Sequence, residues 1–293
     1  MPNLDYPSQP ATETAQEAGH PPQAATEFAP PLRPVRSSAR RFASFRNISA
    51  LMLREMSTRY SRTPGGYLWN VLEPLAAVLF LSLGFSLFLR SPALGTSFLL
   101  FYATGYMPFD LYGVLSRTCA AAINFSRSLL KFPAVSWVDA LLARFFLNSL
   151  TGILNAILLL GGILIVVDHR AVLDLPPILH AMGLAMILGL GVGAANCVLT
   201  GLFPLWALVW GIVNRPLFIA SGIFFLFDEM SPTAQAILWY NPLVHIVGLM
   251  RTGFYPTYTA AYVSELYVLF VALTLLTLGL ILIGRYHRDI INN

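Results

Sequence analysis

Six long apolar stretches constrain this chain more than any other feature of its sequence. They lie at 68–89, 98–121, 140–167, 178–203, 205–227 and 265–284, and each reaches the roughly 20 residues that a helix needs to cross the hydrocarbon of a bilayer. The apolar residues run continuously and do not alternate with polar ones, which argues against transmembrane β-strands. Charged residues make up only 11% of the 293 residues, against about 25% in a soluble domain. We therefore predict an all-α integral membrane protein with six transmembrane helices.

The segments before and after the apolar region have a different composition. Residues 1–46 are rich in Pro, Ala, Thr, Glu and Gln and end in a run of Arg, which predicts a disordered, basic cytoplasmic tail. Residues 47–62 form an amphipathic pattern with Met52, Leu53 and Met56 on one face and Arg54 and Glu55 on the other, typical of a helix lying in the membrane interface. We assign 68–284 to the transmembrane domain and 285–293 to a cytoplasmic C-terminal tail.

The basic residues indicate how the chain is oriented in the membrane. With the N-terminus inside, fourteen of the eighteen Lys and Arg residues fall in the N-terminal region, in the loop 122–139 with its flanks, or after residue 284. Basic residues are concentrated on the cytoplasmic side of membrane proteins. This distribution predicts that both termini are cytoplasmic.

The cytoplasmic loop 122–139 combines cations with large apolar side chains. It carries Arg127, Leu130, Lys131, Phe132 and Trp137, more apolar surface than a purely solvated loop requires. Such a segment suits a short helix that docks in a groove of a soluble partner. The alternative is a loop that lies on lipid headgroups.

The segment 228–264 is too apolar for an ordinary loop and too interrupted to cross the membrane. Aromatic residues alternate with Pro232, Pro242, Gly253 and Pro256, so we predict two short re-entrant helices before the last span. Irregular backbone at that depth requires cover from protein or water. The segment is a candidate periplasmic gate, formed by Trp239, Tyr240, Asn241, His245 and Arg251; docking of a periplasmic partner is the alternative.

Four charged residues lie inside the predicted spans, where a charge costs about 2.5–3.5 kcal/mol. Glu73 and Arg117 lie near the cytoplasmic ends and reach the interface if their side chains snorkel. Arg215 lies deeper, and either pairs with Glu73 or Asp110 or faces a wet conduit. Aromatic residues near the span ends fit an interfacial belt, whereas Phe224, Phe225 and Phe227 also suit a surface on which sugar rings slide.

The sequence contains no pattern for catalysis or metal binding. Its single lysine, Lys131, follows Leu129 and Leu130, so the Gly-Lys step of a phosphate-binding P-loop is absent. The five histidines and two cysteines have no metal-ligand spacing. We expect no catalytic residue, no metal site and no cofactor on this chain, with ATP and Mg²⁺ bound by a separate subunit. An integral-membrane glycosyl or acyl transferase remains as an alternative of another class.

Three groups of motifs, in this order and spacing, resemble the KpsM-like capsular polysaccharide permeases among the ABC-2 type transporters. The first group comprises Arg54-Glu55-Met56, Arg59-Tyr60, Gly65-Gly66-Tyr67-Leu68-Trp69 and Glu73-Pro74. The second runs from Asn124 to Leu129-Leu130-Lys131-Phe132-Pro133. The third comprises Arg215-Pro216-Leu217-Phe218, Ser221-Gly222-Ile223-Phe224-Phe225, Asn241-Pro242-Leu243 and Arg251.

The resemblance implies an inner-membrane permease that forms a homodimer with two ATP-binding subunits and exports capsular polysaccharide to a periplasmic and outer-membrane export complex. Contacts with the ATP-binding subunit are then expected at Arg54, Arg59, Tyr60, Arg127, Leu130, Lys131, Phe132 and Trp137. The translocation channel is expected to include Glu73, Arg215, Phe224, Phe225 and Phe227. Nucleic acid is not an expected partner. A permease of the same fold that exports another glycan of the O-antigen or teichoic type, a lipid or a drug is the alternative.

Overall fold

The computed structural model describes residues 43–60, 66–131, 135–167 and 173–292, and within these ranges every regular element is helical. Side chains at 43, 58–60 and 66–67 fall outside the description, as do Phe132 and the tail 1–42. A short 3-10 turn, Phe227–Glu229, follows the eighth helix. The α-helices are α1 Ala43–Tyr60, α2 Gly66–Ser86, α3 Phe98–Ala120, α4 Ala122–Phe125, α5 Arg127–Leu130, α6 Trp137–Val166, α7 Leu175–Leu202, α8 Trp206–Ile219, α9 Pro232–Leu238, α10 Pro242–Phe254 and α11 Glu265–Asn292.

Four of the described helices are long and apolar enough to cross a membrane: α2 from Leu68, α6, α7 and α11. The 23 residues of α3 span about 35 Å, but this helix carries Asp110 and Arg117 and is less apolar. The 14 residues of α8 span only about 21 Å. The chain is thus an all-α protein with four clear candidates for membrane-spanning helices.

Helix α7 lies at the centre of the bundle because three of its glycines let neighbouring helices approach closely. A Cβ atom on Gly189 would lie 2.8 Å from the Leu115 Cβ of α3, and one on Gly193 would lie 2.6 Å from the Cys119 Cβ of the same helix. Between them, a Cβ on Gly191 would lie 2.5 Å from a backbone oxygen of α11. The glycines at 189 and 193 therefore seat α3, and the glycine at 191 seats α11.

The helix in the predicted fifth span, 205–227, is shorter than predicted. Helix α8 ends at Ile219, and the chain continues without regular structure to the 3-10 turn at Phe227. Gly222 has a φ of +82°, a left-handed conformation that favours glycine and breaks the helical path. Residues 221–223 are not helical, but they are buried in the bundle. Their burial explains why the apolar run continues past the end of α8.

The structure also differs from the predicted boundaries at both ends. Helix α1 begins at Ala43, inside the segment predicted to be disordered, and α11 continues to Asn292 through the predicted C-terminal tail. One residue of the predicted polar face of α1 is not on the surface: Glu55 is 4% exposed. Glu55 turns inward because an arginine of α6 binds it.

We predict that Gly191→Ala destabilises the protein and that Gly183→Ala, on the same helix, does not. Overpacking at position 191 should cost about 1–3 kcal/mol, since the new methyl group meets the backbone of α11. A Cβ on Gly183 meets nothing within 4 Å, and alanine favours a helix over glycine by about 1 kcal/mol. Thermal unfolding of the two purified variants in the same detergent measures the difference. Equal midpoints would contradict the close α7–α11 contact.

Candidate translocation cleft and the contacts at its ends

A cleft of about 690 Å³ runs between α2, α3 and α8. Helix α2 lies antiparallel to α3, so residues early in α2 face residues late in α3. The lining therefore sorts into two halves along the helix axes. The polar half contains Glu73, Asp110, Arg117, Asn214 and Arg215, and the aromatic half contains Phe80, Tyr106, Phe109, Phe218 and Phe224.

The polar half lies at the end of the cleft nearer α4 and α5, because Arg117 is in the last turn of α3. Its carboxylates and Arg117 also line an adjoining cavity of about 110 Å³ between α2, α3 and α6. The remaining polar lining of that cavity is Asn70, Thr118, Asn148, Thr151 and Asn155. Among the described residues, Arg215 forms no ion pair within 4.0 Å with Glu73 or Asp110. Arg215 instead lies exposed on the wall of the cleft.

The aromatic half is a continuous set of ring contacts. Phe218 of α8 is central: its ring centroid lies 5.0 Å from that of Phe109 and 5.2 Å from that of Phe224. Phe224 is also 5.6 Å from Phe85 of α2, and Tyr106 is 6.3 Å from Phe218. Tilted and edge-to-face ring pairs at these distances are favourable. Three helices and the chain after α8 therefore meet in one aromatic wall.

The three phenylalanines predicted to line a channel are not equivalent in the structure. Phe224 lies in the cleft. Phe225 is half-buried, and its carbonyl oxygen accepts a hydrogen bond from Arg251 at 2.9 Å. Phe227 is buried and stacks on Tyr262 with centroids 4.1 Å apart, away from the cleft lining.

The residues predicted to form a gate come together around α9 and α10. His245 is 1% exposed; its Nε2 lies 2.7 Å from the Trp239 carbonyl oxygen, and its Nδ1 accepts from the Ser264 amide at 3.2 Å. One acceptor and one donor require the neutral ring protonated on Nε2, and burial lowers the pKa of His245 in agreement. Tyr240, by contrast, is 70% exposed.

Asn241 and Arg251 tie the ends of α10 to the chain that leaves α8. Asn241 caps α10 by accepting from the Leu243 amide at 3.1 Å and donates from Nδ2 to the Ala220 carbonyl at 2.9 Å. Arg251 is 2% exposed. It is therefore a buried cation and not a surface loop residue.

At the opposite end, α1 is joined to the bundle by a buried ion pair. Arg144 Nε of α6 lies 3.3 Å from Glu55 Oε2, and Arg144 also donates to the Thr118 carbonyl of α3 at 2.8 Å. The Arg144 guanidinium stacks over the Phe125 ring of α4 at 4.1 Å. Asn47 of α1 donates to Asp139 at 3.2 Å. One arginine thus connects α1, α3, α4 and α6.

The predicted coupling residues lie at or beside this junction. Arg127 donates to the Ile291 carbonyl at 2.8 Å and so joins α5 to the end of α11, and Arg54 lies 5.8 Å from the Phe125 ring. Leu130 and Trp137 pack on a small apolar core beneath α4. Lys131 is exposed. The side chains of Arg59 and Tyr60, and Phe132 as a whole, lie outside the described residues.

Several residues of the site were not found from the sequence. Glu55 and Arg144 are 89 positions apart, so no local spacing marks them as a pair. Phe218 belongs to the motif Arg215-Pro216-Leu217-Phe218, and this was the signal that could have marked its ring as part of the cleft. Tyr106 falls one helical turn before Asp110 and Phe109 directly precedes it, and this closeness to a charged residue within a span is the signal that could have singled them out.

Comparison with known proteins agrees with this architecture. Residues 46–255 match the family model described as ABC-2 type transporter. The polysialic acid transport protein KpsM of Escherichia coli is 31% identical over 237 residues, which cover 80% of this chain and 91% of KpsM. Two capsule polysaccharide export inner-membrane proteins are similar over 84% of this chain and 92% of their own length: CtrC of Neisseria meningitidis serogroup A at 26% identity and BexB of Haemophilus influenzae at 28%. The resemblance seen in the motifs is confirmed, and the chain belongs to the ABC-2 type transporter family.

Proposed function

We propose that this chain is the membrane-spanning permease subunit of an ATP-driven exporter that moves capsular polysaccharide across the bacterial inner membrane. The observation that carries the proposal is the similarity, over most of the chain, to transport proteins named for capsule polysaccharide or polysialic acid. The substrate is a long, hydrated chain of repeating sugars, many of them acidic. A path for it has to be continuous, tolerant of register and free of tight binding sites.

The cleft has the chemistry that such a path requires. The ring faces of its aromatic half can pack against the apolar C–H faces of sugar rings without selecting one linkage. In the polar half, Arg117 and Arg215 offer donors to hydroxyl and carboxylate groups, while Glu73 and Asp110 limit the net positive charge. Weak contacts of both kinds let a polymer advance stepwise. We infer that translocation follows the α2–α3–α8 cleft.

A second copy of the chain is the partner that closes this cleft. The cleft is open along one side, and the adjacent helices α2 and α8 expose large apolar residues there and nearby. Among them are Phe80 at 78%, Leu83 at 66%, Leu208 at 66% and Ile212 at 61% exposure. Lipid covers apolar side chains of this kind in a membrane, but the polar residues of the open cleft beside them require cover from protein or water. Two copies related by a twofold axis would enclose one conduit.

Six crossings with both termini cytoplasmic fit the helices. The four apolar candidates, α3, and α8 together with residues 220–229 supply six passes, and an even number returns the C-terminus to the side of α1. On this topology α4, α5, the end of α11 and the Glu55–Arg144 junction are cytoplasmic, where α1 lies in the interface. α9 and α10 are then re-entrant on the periplasmic side, facing a periplasmic and outer-membrane export complex.

Two ATP-binding subunits supply the energy in this proposal and hold ATP and Mg²⁺. They dock on the α4–α5 loop, from which Ser128 and Lys131 are exposed, and on α1. Movement of that loop reaches the bundle through Arg144, which contacts α1, α3 and α4 together. The described contacts thus provide a short physical route from the docking surface to the polar half of the cleft.

A conduit wide enough for a sugar chain would leak ions between transport cycles. We propose that α9, α10 and the loop to α11 seal its periplasmic end, since hydrophobic closures exclude water and ions. Trp239 packs on His245 at 5.3 Å and on Tyr267 at 5.0 Å between ring centroids, which gives the seal a rigid aromatic body. In this proposal the exposed ring of Tyr240 meets that of the second copy.

In the host cell, we expect loss of this chain to leave polysaccharide in the cytoplasm and remove it from the cell surface. Surface and cytoplasmic polymer are measured separately after osmotic lysis, and re-expression of the full chain should restore the wild-type distribution. Normal surface polysaccharide in cells without the chain would contradict the proposed substrate. That result would direct attention to another glycan, a lipid or a drug.

Glu55→Gln is expected to reduce export severalfold, because it removes the charge of a buried ion pair whose disruption is costly. Two quantities are measured for each variant: export in cells, and ATP hydrolysis by the purified chain together with its ATP-binding subunit. The purified chain alone should hydrolyse no ATP. The matched control is Glu265→Gln, which breaks an exposed contact with His180 at 3.2 Å and should export normally. Equal export by the two variants would refute the coupling route through Arg144.

Two copies carrying Tyr240→Cys should form a disulfide that blocks export and leaves assembly with the ATP-binding subunit intact. The native cysteines, Cys119 and Cys197, are buried and should not crosslink. Reduction of the tether should restore export, which serves as the internal control. A fully tethered protein that exports polymer at the normal rate would show that the two copies of the periplasmic seal do not have to separate during transport.

A further inference from the structure

The chain that leaves α8 is held by side chains of α9 and α10 and, in its 3-10 turn, by backbone hydrogen bonds such as the one from the Met230 amide to the Phe227 carbonyl at 3.2 Å. We call residues 220–230 the α8–α9 linker. Asn241 donates to the carbonyl of residue 220, Arg251 to those of 223 and 225, each at 2.9 Å, and Gln235 to those of 227 and 230 at 3.1 Å. In apolar surroundings, carbonyl groups that lack a helical partner require another donor. These three side chains supply the donors.

Arg251 is the most deeply placed of the three. Its guanidinium lies over the Phe101 ring of α3 at 4.2 Å, and within the described residues no carboxylate lies within 4.0 Å of it. Gly105 makes room for it, since a Cβ there would lie 3.3 Å from one guanidinium nitrogen. A buried cation without a counter-ion is costly. Two backbone carbonyls and an aromatic face are what offset that cost here.

The two carbonyls that Arg251 binds flank Phe224. They belong to Ile223 and Phe225, so the guanidinium holds the peptide group that precedes Phe224 and the one that follows the next residue, Phe225. The Phe224 ring meets Phe218 of α8 and Phe85 of α2. The planar fork of arginine can hold two acceptors at a fixed separation, which the ammonium group of lysine cannot.

We propose that Arg251 is a positioning residue for the aromatic wall of the cleft. From α10 it holds the linker so that Phe224 stays against Phe218 and Phe85, and a shift of α10 would therefore be transmitted to the cleft through the backbone. Only the statement that polymer passes along this wall rests on the proposed function. The positional statement rests on the contacts of Arg251 alone.

The test measures thiol labelling by a small maleimide at Phe224→Cys in the full chain in membranes, with and without Arg251→Lys. We expect Arg251→Lys to raise the labelling rate roughly tenfold, the change in population that follows from losing one hydrogen bond to a charged group. Phe80→Cys reports on the same cleft from α2, which Arg251 does not hold, and its rate should not change. Gln235→Ala is the matched linker control. It removes the hydrogen bonds to the carbonyls of 227 and 230, and it should change the labelling rate at Phe224→Cys less than twofold.

The native cysteines separate a local effect from unfolding. Cys119 and Cys197 are 0% and 2% exposed, so their labelling rises only if the bundle opens. A selective rise at Phe224→Cys supports the proposal, whereas no rise, or an equal rise at all sites, overturns it. If Arg251→Lys does not fold, Arg251→Gln, which removes the buried charge together with the guanidinium fork, should give the same selective rise; no rise there overturns the proposal.

Export by the same variants keeps the two proposals apart. A selective rise in labelling with loss of export supports both the positioning role and the cleft as the path. A selective rise with normal export supports the positioning role and rejects the cleft as the path. Unchanged labelling rejects the positioning role whatever the export rate.

Discussion

Close approach of helices along α7 is the constraint on which the other elements depend. Gly189 and Gly193 admit α3 on one side, and Gly191 admits α11 on the other, so a single turn of one helix fixes two neighbours. Helix α3 then carries Asp110 and Arg117 to the cleft and ends at the α4–α5 loop. Helix α11 brings its last residues to that loop, where Arg127 binds the Ile291 carbonyl. The positions of the cleft and of the α4–α5 loop therefore both depend on the close packing of α3 and α11 against α7.

Two buried arginines organise the opposite ends of the bundle by different means. Arg144 is neutralised by Glu55 and also joins α3 and α4, which suits a junction that has to move as one body. Arg251 has carbonyl and aromatic partners, which suits the support of an irregular linker. In both cases a charge is retained inside an apolar bundle because it holds several elements that helical hydrogen bonding cannot connect. The cleft lies between these two points.

Most of the fold could be predicted from hydropathy, and much of the candidate site could not. The apolar stretches, the described part of the loop 122–139 and the interrupted segment before the last predicted span all correspond to helices of the structure. The fifth helix was predicted too long because 205–227 is mostly apolar, and hydropathy does not distinguish α8 from the linker that begins at residue 220. The burial of Glu55 in α1 was not predicted, because a glutamate looks like a surface residue until Arg144 is known to face it. Phe227 was assigned to the channel by its neighbours in sequence, although Tyr262 covers it.

The sequence by itself determined that this is an all-helical membrane chain, which family it resembles, and which segments are unusual for a span. Those properties are local, because burial in lipid and helix formation are set by residues within a few turns of each other. Only the tertiary structure decided that polar residues from α2, α3 and α8 share one cleft, that Glu55 meets Arg144, and that Arg251 supports the linker around Phe224. The contacts of Arg251 with the linker and of Arg144 with Glu55 join residues 26 to 89 positions apart, and the partners of both arginines include backbone carbonyls. Every residue has a backbone carbonyl, so no residue type marks which one will be bound.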